Sequence, residues 1–305
     1  MKIAIPRAGL YHLYHSFWVA FFETLGFEVV VSPPTDRNIL EAGLKIANGE
    51  MCLPMKIMYG HILWLEDKGD FMLLPQMSEA KFGSAEPGSG NFFCPYFVGL
   101  ADLMAAEFSD LKILRPKMGF HDGMVEPDPW LSLAQELGKS ETEAAAAYAK
   151  ASAAYQDFSV QQKNIKPAAS GKTIALIGRP YVTYDDYANL NIVDKLANRG
   201  FAVKFWENIP ENFLQAGLDQ VSPRFRSHWF LTNREFGAIN HLASQPDIAG
   251  IVYLVPFNCG PDFMIEEAVI QQARSRKPIT MISLDESTGE AGLNTRLDAF
   301  IDMLK

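Results

Sequence analysis

The sequence predicts an α/β protein made of two Rossmann-like domains with parallel sheets. Short apolar, β-branched runs alternate with helix-length amphipathic runs along most of the chain. That rhythm breaks once, in a polar stretch near the middle, and then restarts. The chain has 305 residues, 48% hydrophobic and 21% charged, which is enough apolar material for two ordinary cores.

The elements follow in order. Lys2-Ile3-Ala4-Ile5-Pro6 reads as a first strand, since its apolar part is too short for a signal peptide. Residues 14–26 read as a helix closed by Gly26, and residues 27–31 as a strand stopped by Ser32-Pro33-Pro34. Asp36 is placed to cap a helix running to about residue 49. Residues 71–75 and 111–114 are further strands, and the alanine-rich run 141–155 is a helix. Polar residues 161–172, interrupted by Pro167, read as a linker between a first domain at 1–160 and a second at 173–305. In the second half, residues 173–178, 201–206, 250–257 and 279–284 are strands, and 190–198 and 294–304 are helices.

Charge and composition exclude several classes. Lys+Arg 27 against Asp+Glu 36 leaves a net charge of −9, which argues against a nucleic-acid or anionic-membrane surface. No run approaches the ~18 apolar residues of a membrane helix. Three cysteines form no disulfide framework, so a reducing, cytoplasmic setting is expected. Gly171-Lys172-Thr173 lacks the glycine five residues earlier that a phosphate loop needs, and Gly83, Gly88 and Gly90 lack dinucleotide spacing. His12 and His15 have no third ligand nearby and read as partly exposed helix residues rather than a metal site.

The cysteines carry the informative pattern. Cys52-Leu53-Pro54, Cys94-Pro95 and Cys259-Gly260-Pro261 each place a proline one or two positions after the thiol, ahead of helical runs at 55–65, 97–108 and 262–273. A thiol at a helix N-terminus is expected to shift toward the thiolate, the form that ligates a soft metal. Cys259 also follows a strand, at the carboxyl end where open α/β sheets place ligands. Cysteines in both halves would meet in the cleft between domains. Three thiolates without a histidine cluster suit an iron–sulfur cube better than zinc and leave one iron open. Tyr181 and Asp185 follow the first strand of the second half as cleft candidates. Lys56 and His61 lie on the helix after Cys52, either lining the cleft or solvated, and Glu50 flanks the thiol. Phe92, Phe93, Phe257 and Phe263 are expected to keep water from the cluster.

The same segments resemble the acyl-CoA dehydratase activase-related family, relatives of 2-hydroxyacyl-CoA dehydratase subunits and double-cubane cluster proteins. The resemblance rests on residues 2–7, Phe17-Trp18, 25–30, 32–35, Glu50-Met51-Cys52-Leu53-Pro54-Met55-Lys56 with Gly60-His61, Cys94-Pro95-Tyr96, Gly178-Arg179-Pro180-Tyr181 with Tyr184-Asp185, and Phe257-Asn258-Cys259-Gly260-Pro261-Asp262. It implies an oxygen-sensitive [4Fe-4S] cluster held by Cys52, Cys94 and Cys259. It also implies ATP-driven, low-potential electron transfer from an iron–sulfur activase on a separate chain, or radical chemistry on an acyl-CoA thioester. A homodimer or a paralogous subunit is a further partner class. Three cysteines are few for a double cube within one chain. Two alternatives stand beside this reading: a non-catalytic cluster-holding partner, and a metal-free two-domain α/β binding protein whose cysteines pack.

Overall fold

The computed structural model describes residues 1–81, 92–121, 124–163, 172–223, 226–263, 270 and 273–304. The chain divides into two compact units, Met1–Ala47 with Met55–Val160, and Asn48–Pro54 with Gln161–Lys305. The short segment carrying Cys52 therefore counts with the second unit.

The first unit opens with β1 (Lys2–Ile5), α1 (Tyr11–Thr24), β2 (Glu28–Val31), α2 (Arg37–Leu44) and α3 (Leu53–Leu65). It continues through β3 (Phe71–Leu73), β4 (Gln76–Lys81), α4 (Pro95–Val98), α5 (Leu100–Glu107) and β5 (Ile113–Leu114). β6 (Lys117–His121), β7 (Met124–Val125), α6 (Asp128–Glu136) and α7 (Glu141–Lys163) complete it. Its main sheet has the order β2-β1-β3-β5, parallel throughout. Ile3, Ala4 and Ile5 of β1 are buried, as expected for an inner strand of a covered sheet. Phe17, Phe21 and Phe22 of α1 pack on Trp130 of α6, with ring centroids 4.9, 5.2 and 6.4 Å apart. The alanine richness of α7 has a packing cause. Ala144, Ala147 and Ala151 are fully buried at helical spacing, a stripe small enough for close approach.

The second unit contains β8 (Thr173–Gly178), α8 (Pro180–Thr183), α9 (Ile192–Ala197), β9 (Ala202–Phe205), α10 (Glu211–Asp219) and α11 (Phe230–Ala243). β10 (Ile248–Pro256), α12 (Gly260–Phe263), β11 (Ile279–Leu284) and α13 (Glu290–Asp302) follow. Its sheet runs β11-β10-β8-β9, again all parallel. The α/β class with parallel sheets predicted from the sequence is the observed one.

Several boundaries differ from the sequence reading. α1 begins at Tyr11, α2 stops at Leu44, and α7 runs to Lys163, so the first residues of the expected linker are helical. The rest of that stretch, residues 164–171, lies outside the described residues, as do Gly83, Gly88 and Gly90. A third sheet of β4, β6 and β7 was not anticipated; its strands mix Lys, Met, Gly and Phe without clear alternation. α10 and α11 were also missed. Most of α11 is buried, including Asn233, Glu235 and Asn240, so it shows no amphipathic stripe to read. No described helix is long and apolar enough to cross a membrane.

Candidate functional site

In the second unit, β8 and β10 are adjacent inner strands, and their carboxyl ends form the crevice where open sheets bind ligands. β10 ends at Pro256, and Asn258 takes a left-handed conformation at φ 63°, which asparagine tolerates better than most residues. That turn delivers Cys259 to the head of α12, where the thiol is buried. The neighbouring strand β8 delivers Arg179, which is 2% exposed. Its guanidinium donates to Thr232 Oγ1 at 2.6 Å and pairs with Asp262, with Glu235 at 3.4 Å. Tyr253 donates its hydroxyl to Glu235 Oε2 at 3.3 Å.

Burial pushes the Glu235 carboxyl well above its ordinary range; Arg179 pulls it back and Asp262 adds to the rise. Burial thus favours the protonated form of Glu235, and Asp262 is the carboxyl nearer to Arg179. Burial likewise pushes the Cys259 thiol up, reinforced by Asp262 and Cys52 and opposed by Arg179 and by the Asp262 backbone N–H. This corrects the expectation that the helix head lowers the thiol. Desolvation outweighs the few N–H groups of the described turn Gly260–Phe263.

Cys52 and Cys259, far apart in sequence, belong to one unit and lie within electrostatic reach of each other. Cys52 immediately precedes α3, whose second residue is Pro54. Cys94 belongs to the first unit and immediately precedes α4; its carbonyl accepts from Phe97 N at 2.8 Å and Val98 N at 3.1 Å. The run expected at 97–108 is two short helices, α4 and α5. Residues 264–269, 271 and 272 of the run 262–273 lie outside the described residues. Among the described residues, no group of three or more His, Cys, Asp or Glu side chains is placed to hold a metal ion. The two thiols of the second unit are of the chemical type that soft metals prefer, and the nearby Asp262 carboxyl is engaged by Arg179.

The other candidates separate. Tyr181 is buried in α8 within electrostatic reach of Arg179. Asp185 is buried and turns inward on its own loop, accepting from Tyr187 N at 3.1 Å and Ala188 N at 3.0 Å. Lys56 and His61 of α3 are 4% and 0% exposed, so neither is a solvated helix residue, whereas Glu50 is exposed. His61 sits between Ser32 Oγ at 2.8 Å and Thr35 Oγ1 at 3.0 Å. Of the aromatic residues expected to exclude water, Phe93 is buried, but Phe92 and Phe257 are 40% and 56% exposed; the side chain of Phe263 lies outside the described residues. Sequence reading quoted Arg179 within a motif without making it a site candidate, although it directly follows an apolar strand, and missed Glu235.

The second unit is thus a parallel α/β unit with Cys259 beyond the carboxyl end of its inner strand β10. Residues 2–209 match the family described as the CoA enzyme activase uncharacterised domain, and the chain belongs to that family. This agrees with the resemblance to the acyl-CoA dehydratase activase-related family. The matched segment includes Cys52 and Cys94 and ends before Cys259. No curated protein matches the chain.

Proposed function

We propose that this CoA enzyme activase-related protein carries an iron–sulfur cluster and takes part in ATP-driven, low-potential electron transfer with an activase on a separate chain. The observation that carries the reading is that Cys52 and Cys259 share one unit and lie within electrostatic reach of each other. Cys52 and Cys259 would hold the cluster, with Cys94 the third ligand named by the family resemblance. Bound there, a [4Fe-4S] cluster supplies one-electron chemistry, with an open iron if three thiolates hold it.

The chain's own residues have defined parts. The left-handed turn at Asn258 fixes where the Cys259 sulfur emerges from β10. The backbone N–H of Asp262 donates to the Cys259 carbonyl at 3.2 Å, which holds the turn that carries the thiol. Arg179 holds positive charge beside it and is itself held by Asp262 and Thr232. The buried Asp262 carboxylate limits how much negative charge the site accepts, which favours a low potential and a strong donor.

The test is anaerobic reconstitution with iron and sulfide, followed by metal assay of wild type and of Cys52→Ser, Cys94→Ser and Cys259→Ser. Each substitution is expected to lower bound iron at least severalfold, with dithionite, but not dithiothreitol, producing a paramagnetic state. Wild-type iron content in all three variants would remove the cluster. Full reduction by dithiothreitol would remove the low-potential role.

A further inference from the structure

The first unit has its own crevice at the carboxyl ends of adjacent inner strands. Its sheet order, β2-β1-β3-β5, reverses between β1 and β3, the place where open α/β sheets bind ligands. Pro6 directly follows β1, and Leu74-Pro75 directly follows β3. Proline carries no N–H, so these two positions offer none of the backbone donors with which such crevices hold phosphate. A cavity of about 20 Å³ lies against both strand ends, lined also by Ala8, Met58, Met77 and Leu100. None of the described lining residues is charged, and among them only Trp18 carries a side-chain nitrogen or oxygen.

A buried water takes roughly 10–15 Å³ and about two to four polar partners. The space suffices for one, but its walls are poor in partners. Ala8 O already accepts from Tyr11 N at 3.2 Å, Leu10 O accepts from Leu13 N at 3.0 Å, and Leu74 N donates to Leu114 O at 2.9 Å. An apolar cavity of this kind stays dry and takes apolar guests. We propose that it receives the short alkyl part of a neutral ligand.

The walls set the chemistry and the size of that ligand. A carboxylate or phosphate would give up its hydration without meeting a cation, so the guest is uncharged. Met58 and Met77 are buried, and their unbranched thioether chains can shift to admit a group larger than a water. The loop after β1 has no such freedom. At Gly9, with φ 60°, an added Cβ would meet Met58 Cε and Phe97 Cε1 at 2.9 Å. Room for the guest therefore comes from the methionines and not from the loop. The inference holds whether or not the thiols of the second unit bind a cluster.

Methionine-methyl NMR of the full chain, titrated separately with xenon, n-butanol and butyrate, tests it. The Met58 and Met77 signals, assigned through Met58→Leu and Met77→Leu, are expected to shift saturably with xenon and with n-butanol. The signal of Met303, an exposed methionine of the other unit, should not saturate. Butyrate, the same chain with a charged head, should bind at least tenfold more weakly than n-butanol. Ala8→Val, which adds two methyl groups to the wall, should weaken n-butanol binding at least fivefold. No saturable shift in wild type, a response to xenon but not to n-butanol, butyrate binding as tightly as n-butanol, or undiminished binding in Ala8→Val would each overturn the proposal. Should Ala8→Val fail to fold, Leu100→Ala decides: its wider cavity must bind benzene severalfold more tightly than wild type, and equal affinity overturns the site.

Discussion

Arg179 brings a full positive charge into the interior of the second unit beside two carboxyls, and the balance among the three is uneven. Asp262 is the closer partner, while burial favours the protonated form of Glu235, to which Tyr253 donates a hydrogen bond. Removing the charged partner strands a buried guanidinium, whereas replacing a neutral acid by an amide changes little. Asp262→Asn is therefore expected to cost about 3–5 kcal/mol, and Glu235→Gln no more than about 1 kcal/mol. Urea unfolding midpoints of the two variants decide this. Equal losses would mean that both carboxyls are ionised against Arg179.

At the scale of elements, glycines set how closely helices approach. A Cβ on Gly217 would lie 2.1 Å from Gly237 O, and one on Gly237 would lie 2.1 Å from Leu214 O. α10 and α11 thus touch backbone to backbone. Gly237→Ala should force them apart at a cost of about 1–3 kcal/mol. Gly292, within α13, faces open space with ordinary backbone, so Gly292→Ala should add up to about 1 kcal/mol. Thermal midpoints moving in opposite directions would bear this out, and a drop in both would contradict the reading of α13.

The same packing explains what was legible in the sequence. β8 and β10 are covered on both faces, so they appear as continuous apolar runs, and the edge strand β11 was placed at its observed residues, Ile279–Leu284. α11 was illegible because its polar residues point inward to partners such as Arg179 and Tyr253, which lie far away in sequence. The cysteines were legible through the prolines that follow them, a local signal of helix starts. Burial of Lys56 and His61 was not, because it depends on α2 packing against α3. There Gly43 and Gly60 bring the helices so close that an added Cβ would meet Lys56 O or Ile39 O at 1.9 Å.

Across the whole molecule the two main sheets share one strand order, with the first strand flanked by the second and third. An arginine follows each first strand: Arg7 after β1 and Arg179 after β8. Their surroundings differ, and so should the response of the two units to pH. In the first unit, burial, with His61, His15 and Arg7, lowers His12 to about 3. Burial and Arg7 lower His61 to about 4 against the pull of Asp36. The unfolded chain protonates these groups from 6.5 downward, so their stabilisation is complete above 6.5 and lost as pH falls toward 3–4. In the second unit, burial raises Glu207 to about 8, opposed by its own backbone N–H, Tyr184 and Arg234. The folded protein keeps a proton there that the unfolded chain releases above 4.5, so this stabilisation is lost as pH rises toward 8. Each proton changes stability by at most about 1.4 kcal/mol per pH unit. Between 6.5 and 8 the Glu207 effect acts without the two histidines, and below 4.5 the histidines act without Glu207. Glu207→Gln should therefore make the decline in urea midpoint between those upper values shallower, leaving the share of Glu235, and spare the acid limb. His12→Gln should shallow the acid limb and spare the upper one. A Glu207→Gln variant whose midpoint still falls as steeply as wild type from 6.5 to 8 would show that Glu207 is ionised in the folded second unit.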